Sequence, residues 1–202
     1  FEPSTEGGYR RLNGTTKYNS TIVPQVSLAN ERIQMSAIFN DKIIVARGGT
    51  VSYGDTSGSW TSLATSQGGT YTYDFDKFNF SGTSKIIIAT GEAAAFTVNT
   101  SFAVDVINAT GGGTAPTNPK FVKTFANHVF YGGMSNSTHS ILFSVPFSED
   151  NFTSGSGAGE IKVGDVVTGL KVFRDELFIF CQRKIYKLTG TSSTNFALAE
   201  VA

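Results

Sequence analysis

Four stretches of the chain repeat one pattern of apolar and polar positions. They read MSAIFNDKIIVARGG (35–49), FDKFNFSGTSKIIIATG (75–91), FVKTFANHVFYGG (121–133) and LKVFRDELFIFCQ (170–182). Each is an apolar strand ending in Phe, then a polar turn, then a strongly apolar strand. Short β-branched and aromatic runs bounded by Gly, Asn, Asp and Ser predict strands. No segment sustains apolar residues at helical spacing for three turns. Each stretch therefore predicts a β-hairpin whose second strand is buried on both faces.

The Phe before each turn serves as a ruler. Phe39, Phe80, Phe125 and Phe173 are separated by 41, 45 and 48 residues. A period of roughly 40 to 50 residues is that of four-stranded propeller blades. Two further strands follow each hairpin: TVSYGD and SWTSLA, AAFTVN and FAVDVI, SILFSVPF and GEIKVG, KIYKLTG and NFALAEV. The expectation is an all-β, β-propeller-like fold with four repeats of four antiparallel strands, at about 31–70, 71–115, 116–165 and 166–202. A β-sandwich also uses many short strands, but it does not explain the recurring hairpin. Residues 1–30 read as an N-terminal arm or linker with one strand, YRRLNGTTKYN. That stretch does not look like a closing blade strand, and the chain starts on Phe1, so the expectation is a propeller that is part of a larger protein.

Composition narrows the function. Sixteen basic residues balance sixteen acidic ones, so the broad positive field of a nucleic-acid binder is missing. Charged residues make up 16% of the chain, with Ser, Thr, Asn and Gly taking the surface role. Cys181 is the single cysteine, which excludes an internal disulfide, and its apolar setting predicts a small buried hydrophobe. No run approaches the length of a membrane-spanning helix. Asn13, Asn19, Asn79, Asn99, Asn108, Asn136 and Asn151 each fit the N-glycosylation pattern. Asn, Ser and Thr also crowd β-turns, and turn use is the favoured reading.

Candidate chemistry is sparse. His128 is expected in a hairpin turn and His139 in a loop, neither in a metal-ligand spacing. There is no GxSxG nucleophile elbow. SGSGAGE (154–160) lacks the Lys-Ser/Thr and the helix of a phosphate loop and reads as an inter-strand loop. Asp74 and Asp76 share one strand face but lack the further ligands of a calcium loop, so solvated carboxylates are expected. Glu149-Asp150 and Asp175-Glu176 read the same way, in turns. No catalytic, cofactor-binding or metal residue is assigned, and no cofactor is expected. Trp60, Tyr71 and Tyr73 are the aromatics that could stack on a sugar.

The opening FEPSTEGGYRRLNG supplies a resemblance. A Glu-Gly, then a basic pair and a Gly ahead of a propeller, here Glu6, Gly7, Gly8, Arg10, Arg11 and Gly14, resembles the tail nozzle (tail tubular protein B-like) proteins of short-tailed phages. TGLKVFRDELFIFCQRKIYKLTG (168–190), FSVPFSEDNF (143–152) and GEIKVGD (159–165) also look like runs from phage virion structural proteins. The resemblance touches the whole chain through short structural motifs. It implies a non-enzymatic virion protein in the phage tail, forming a homo-oligomeric ring around the DNA exit channel. Its implied partners are adaptor and tail fibre proteins, with DNA passing the lumen without sequence-specific binding. Tyr9, Arg10 and Arg11 are the candidate interface residues. Other tail, neck or capsid-associated positions, and a glycan-binding or glycosidase propeller, are the alternatives.

Overall fold

The fold was analysed in a computed structural model that describes residues 2–3, 9–10, 21, 23, 32–80 and 82–201. Sixteen strands form four four-stranded antiparallel sheets, each built from strands consecutive in sequence. Blade I contains β3 (Ile33–Phe39), β4 (Lys42–Arg47), β5 (Thr50–Gly54) and β6 (Trp60–Ala64). Blade II contains β7 (Asp74–Phe80), β8 (Thr83–Ala89), β9 (Phe96–Asn99) and β10 (Val104–Val106). Blade III contains β11 (Phe121–Phe125), β12 (His128–Met134), β13 (Ser137–Phe143) and β14 (Gly159–Lys162). Blade IV contains β15 (Val167–Phe173), β16 (Glu176–Cys181), β17 (Ile185–Thr189) and β18 (Ala197–Glu200). Ahead of them, β1 (Glu2–Pro3) pairs antiparallel with β2 (Tyr9–Arg10). Among the described residues, helix is limited to one 3₁₀ turn at Ser154–Ser156.

The first hairpin of every blade has the same geometry. Phe39, Phe80, Phe125 and Phe173 are each the last residue of their strand, paired with Lys42, Thr83, His128 and Glu176. Two residues make each turn. Asn40 and Asp41, Ala126 and Asn127, and Arg174 and Asp175 all have positive φ, and so does Gly82. Positive φ at both central residues is the type I′ turn, whose twist matches that of the flanking strands.

Because strand side chains alternate between faces, each blade presents a front face to the preceding blade and a back face to the next. Met35, Ala37, Phe39 and Ile44 of blade I pack on Ile86, Ile88, Phe96 and Val98 of blade II. Phe78, Ile87 and Ala89 of blade II pack on Val122, Val129 and Tyr131 of blade III. Phe125, Phe130, Ile141 and Phe143 of blade III pack on Leu170, Leu177, Ile179 and Leu188 of blade IV. The core is thus three successive interfaces rather than one central cluster, and it follows the propeller rule that a blade buries its faces only against neighbours.

The expectation of a doubly buried second strand is met by β12, in which every residue is buried. It fails for β16. Leu177 and Ile179 are buried against blade III, while Phe180 on the opposite face is exposed. The reason is that the described residues put no sheet behind blade IV.

Candidate functional site

The first strands of successive blades lie side by side, with β7 next to β11 and β11 next to β15. A strand whose inner edge has no ladder partner leaves backbone N–H groups unsatisfied. At β11 these are supplied from the neighbouring blade. The Val122 N–H donates to Asp74 Oδ2 at 3.0 Å and the Thr124 N–H donates to Asp76 Oδ2 at 2.7 Å. The two carboxylates sit two residues apart on the back face of β7, matching the two-residue spacing of the amides.

Lys123 completes the arrangement. Its ammonium donates to Asp74 Oδ1 at 2.7 Å, to the Phe75 carbonyl at 2.9 Å and to the Val122 carbonyl at 2.7 Å. A 510 Å³ cleft adjoins this cluster, with Leu170, Lys171 and Val172 of blade IV on its other side. The expectation of solvated carboxylates at Asp74 and Asp76 is therefore corrected: both are part-buried acceptors that join blade II to blade III. The twofold spacing was legible in sequence, but the partner strand 48 residues away was not.

Glu149 and Asp150 are corrected in the same sense. Glu149 forms an ion pair with Lys85 of blade II. Asp150 accepts the N–H groups of Asn108, Ala109 and Thr110 at 2.8, 2.6 and 2.9 Å, and the Thr110 hydroxyl as well. One carboxylate thus fixes the turn that follows blade II. Glu176 is the first residue of β16 rather than a turn residue, and it pairs with Lys187 at 2.9 Å. Asp175 is an exposed turn residue.

His128 opens β12 and is fully buried instead of lying in the turn. Its ring sits edge-on to Phe143 and Phe196, with both centroid distances 5.4 Å. Nδ1 lies 2.6 Å from the Ser144 carbonyl, which makes Nδ1–H the donor, and Nε2 is buried without a partner. Burial holds its pKa below the ordinary imidazole value. His139 is an exposed residue within β13, not in a loop. Cys181 is half-buried beside the blade III–IV interface, and burial raises its thiol pKa.

The three aromatics considered for sugar stacking do not form a platform. The Trp60 indole donates to the Thr21 carbonyl at 3.1 Å. Tyr73 is buried and its hydroxyl donates to the Gly68 carbonyl. Tyr71 is exposed, with the Lys120 ammonium 4.0 Å above its ring. Two of the glycosylation-pattern residues serve as turn formers. Asn99 Oδ1 accepts the Ser101 and Ala103 N–H groups, and Asn151 Oδ1 accepts that of Thr153.

Tyr9 and Arg10 form β2, and Arg11 lies outside the described residues. Among the described residues, no three His, Cys, Asp or Glu side chains cluster to hold a metal ion. None of their helices is long and apolar enough to cross a membrane.

No family model matches the chain, and no curated protein matches it. Solved structures do. A complex of BBS1N with ARL6DN gives a TM-score of 0.52 at 10% identity, covering 81% of this chain and 49% of that one. A chain of the mitotic checkpoint complex gives 0.52 at 13% identity, covering 83% and 51%. PorZ, a surface component of the type-IX secretion system of Porphyromonas gingivalis, gives 0.52 at 11% identity, covering 85% and 21%. The chain spans about half the length of the first two and about a fifth of the third. At these identities the likeness is one of fold, and the fold is a β-propeller architecture of four-stranded antiparallel blades.

Proposed function

We propose that the chain belongs to a non-enzymatic structural protein of a phage virion. In this reading it contributes blades to a tail nozzle, a homo-oligomeric ring through which DNA passes. The observation that carries the reading is the engagement of the inner-strand polar groups. Asp74, Asp76 and Lys123 are committed to one another and to the backbone of adjacent blades. A retaining or inverting glycosidase needs two carboxylates facing each other across a substrate gap. Here the carboxylates face backbone amides, a cohesive arrangement suited to a load-bearing element.

The resemblance of the opening segment and of 168–190 to virion proteins supplies the specific setting. Zero formal net charge suits a conduit, since a strongly basic lumen would bind phosphates and retain the DNA. Adaptor and tail fibre proteins are the partners this position implies, and Tyr9, Arg10 and Arg11 are the residues proposed to meet a neighbouring subunit of the ring.

The test is localisation on particles. Antibodies raised against the purified chain, carrying gold, should label the tail end of intact phage particles that encode it. Unlabelled particles, with the protein remaining in the lysate, would overturn the reading. A panel of chromogenic glycosides should show no turnover. Turnover abolished by Asp74→Ala or Asp76→Ala, with the fold retained, would favour the glycosidase alternative.

A further inference from the structure

The hairpins put the inner strands of successive blades in one register, so their edges can be compared. In a two-residue hairpin the residues flanking the turn form a hydrogen-bonded pair, and such pairs alternate along the ladder with pairs that are not hydrogen-bonded. Phe125 flanks its turn opposite His128, and Phe173 flanks its turn opposite Glu176. The N–H groups one and three residues before each Phe therefore point away from the second strand, towards the inner edge. In β11 they belong to Thr124 and Val122, and Asp76 and Asp74 satisfy them. In β15 they belong to Val172 and Leu170. Blade III supplies no such acceptors. Asp74 and Asp76 stand six and four residues before Phe80, and the matching positions before Phe125 hold Pro119 and Phe121. Neither side chain can accept a hydrogen bond. Among the described residues, no side chain or loop carbonyl meets the N–H of Leu170 or Val172.

Leu170 and Val172 line the 510 Å³ cleft, with Lys171 between them and Asp74, Asp76 and Lys123 across it. Small-molecule sites span about 300–1,000 Å³, and this cleft is of that size. Its charged groups divide into those already used and those still open. An ammonium has three donors, and all three of Lys123 are taken, by Asp74 Oδ1 and by the Phe75 and Val122 carbonyls. Asp74 is spent on Lys123 and on the Val122 N–H. Asp76 gives Oδ2 to Thr124, and among the described residues its Oδ1 has no partner. Lys171 is exposed, and among the described residues its ammonium has no partner either. What remains open is one carboxylate oxygen on the β7 wall, and one ammonium with two backbone N–H groups on the β15 wall.

We infer that this cleft binds a linear amino acid with its ammonium and its carboxylate at opposite ends of an aliphatic chain. The ligand carboxylate accepts the N–H groups of Leu170 and Val172 and pairs with the Lys171 ammonium. It thus does at β15 what Asp74 and Asp76 do at β11. The ligand ammonium donates to Asp76. A ligand of one charge answers only one wall: a simple anion is opposed by Asp76 and a simple cation by Lys171. The open acceptor and the open donors belong to β7 and β15, with β11 between them, so the two charges of the ligand are set apart along its chain. The inference rests on the inner-strand geometry and not on the virion reading, so its failure leaves that reading standing.

The experiment is an NMR titration of the isotope-labelled 202-residue chain with ε-aminocaproate at constant ionic strength, read at the assigned backbone amides. Caproate and hexylammonium, each carrying one of the two charges, are titrated alongside. ε-Aminocaproate should shift the Leu170 and Val172 amide signals along one saturable curve. Caproate and hexylammonium should bind about tenfold more weakly or worse, the scale of one lost charge-assisted hydrogen bond. Lys171→Met, at an exposed position, should keep the parental amide spectrum outside the cleft and lose affinity for ε-aminocaproate by a similar factor. Asp76→Asn keeps an acceptor for the Thr124 N–H and removes the charge that holds the ligand ammonium, so it should bind ε-aminocaproate no better than caproate. The absence of a saturable shift at Leu170 and Val172 in the parent overturns the inference. So does equal binding of caproate and ε-aminocaproate by the parent, and so does parental affinity in Lys171→Met.

Discussion

Asp76 of blade II accepts the backbone N–H of Thr124 in blade III at 2.7 Å. A side chain of one sheet thereby takes the place of a ladder strand for the edge of the next. Asp76→Ala should leave that part-buried amide unsatisfied. Hydrogen bonds to charged groups contribute about 1.5–3 kcal/mol, so a loss of about 2 kcal/mol is expected in urea unfolding, with the slope unchanged. Asp76→Asn keeps a neutral acceptor and should lose less. Equal stability of parent and Asp76→Ala would show that the contact is incidental.

Ile87 in β8 is fully buried between blades II and III. Its truncation to Ala removes methylenes from a packed interface and should cost about 3 kcal/mol. Ile87→Asp adds an unpaired buried carboxylate and should cost still more or prevent folding. Thermal unfolding of Ile87→Asp at the parent's temperature would exclude this strand from the core.

His128 sets a pH dependence whose sign is fixed by burial. Its folded-state pKa is depressed by desolvation, so the unfolded chain binds the proton more readily. Nothing is lost at pH 7 and above, where the ring is neutral in both states. Stability should fall as pH drops below the ordinary value of 6.5 towards the lower folded-state value. Unfolding free energies measured between pH 7 and 5 should show a flatter dependence in His128→Phe than in the parent. Identical slopes in the parent and His128→Phe would remove His128 from the account.

Ala126 opens the blade III turn with φ 49°. An L-residue with a Cβ meets a cost of roughly 1–2 kcal/mol in the left-handed region, which Gly avoids at the expense of greater unfolded-state entropy. Ala126→Gly should therefore stabilise by up to about 1 kcal/mol, read as a higher midpoint in urea. A lower midpoint would mean that the Ala126 methyl, packed beside the blade III–IV core, contributes more than its backbone costs.

The sequence carried the strands, the hairpins and the repeat because each is local. A marker Phe, a turn and a β-branched run lie within fifteen residues, and the period between markers is visible without any contact information. The polar network was not legible for the opposite reason. Asp76 and Thr124 are 48 positions apart and belong to different repeats. Only the stacking of blade II on blade III brings the two-residue spacing of Asp74 and Asp76 opposite that of Val122 and Thr124. His128 was misplaced by one strand boundary. It stands directly after Ala126-Asn127, and a turn of two residues rather than three puts it in β12, inside the aromatic cluster. The exposed back of blade IV was hidden as well, since LFIFC reads as apolar whether or not a neighbour is present.

The marker spacing lengthens along the chain while the hairpins do not. Two of the longest connections are 107–120 and 144–158, and they are laced together. Asp150 holds three amides of the first, Gly111 donates to the Asp150 carbonyl, and Phe152 donates to the Gly112 carbonyl. The two connections thus form a single unit for engineering. A loop graft or deletion that exchanges one of them strands the hydrogen-bonding groups of the other, whereas exchanging both together leaves every blade face in phase. Insertions meant to display a tag or an epitope belong in neither, but in a connection such as the exposed Gly164 turn between β14 and β15, where added bulk meets no neighbouring atom.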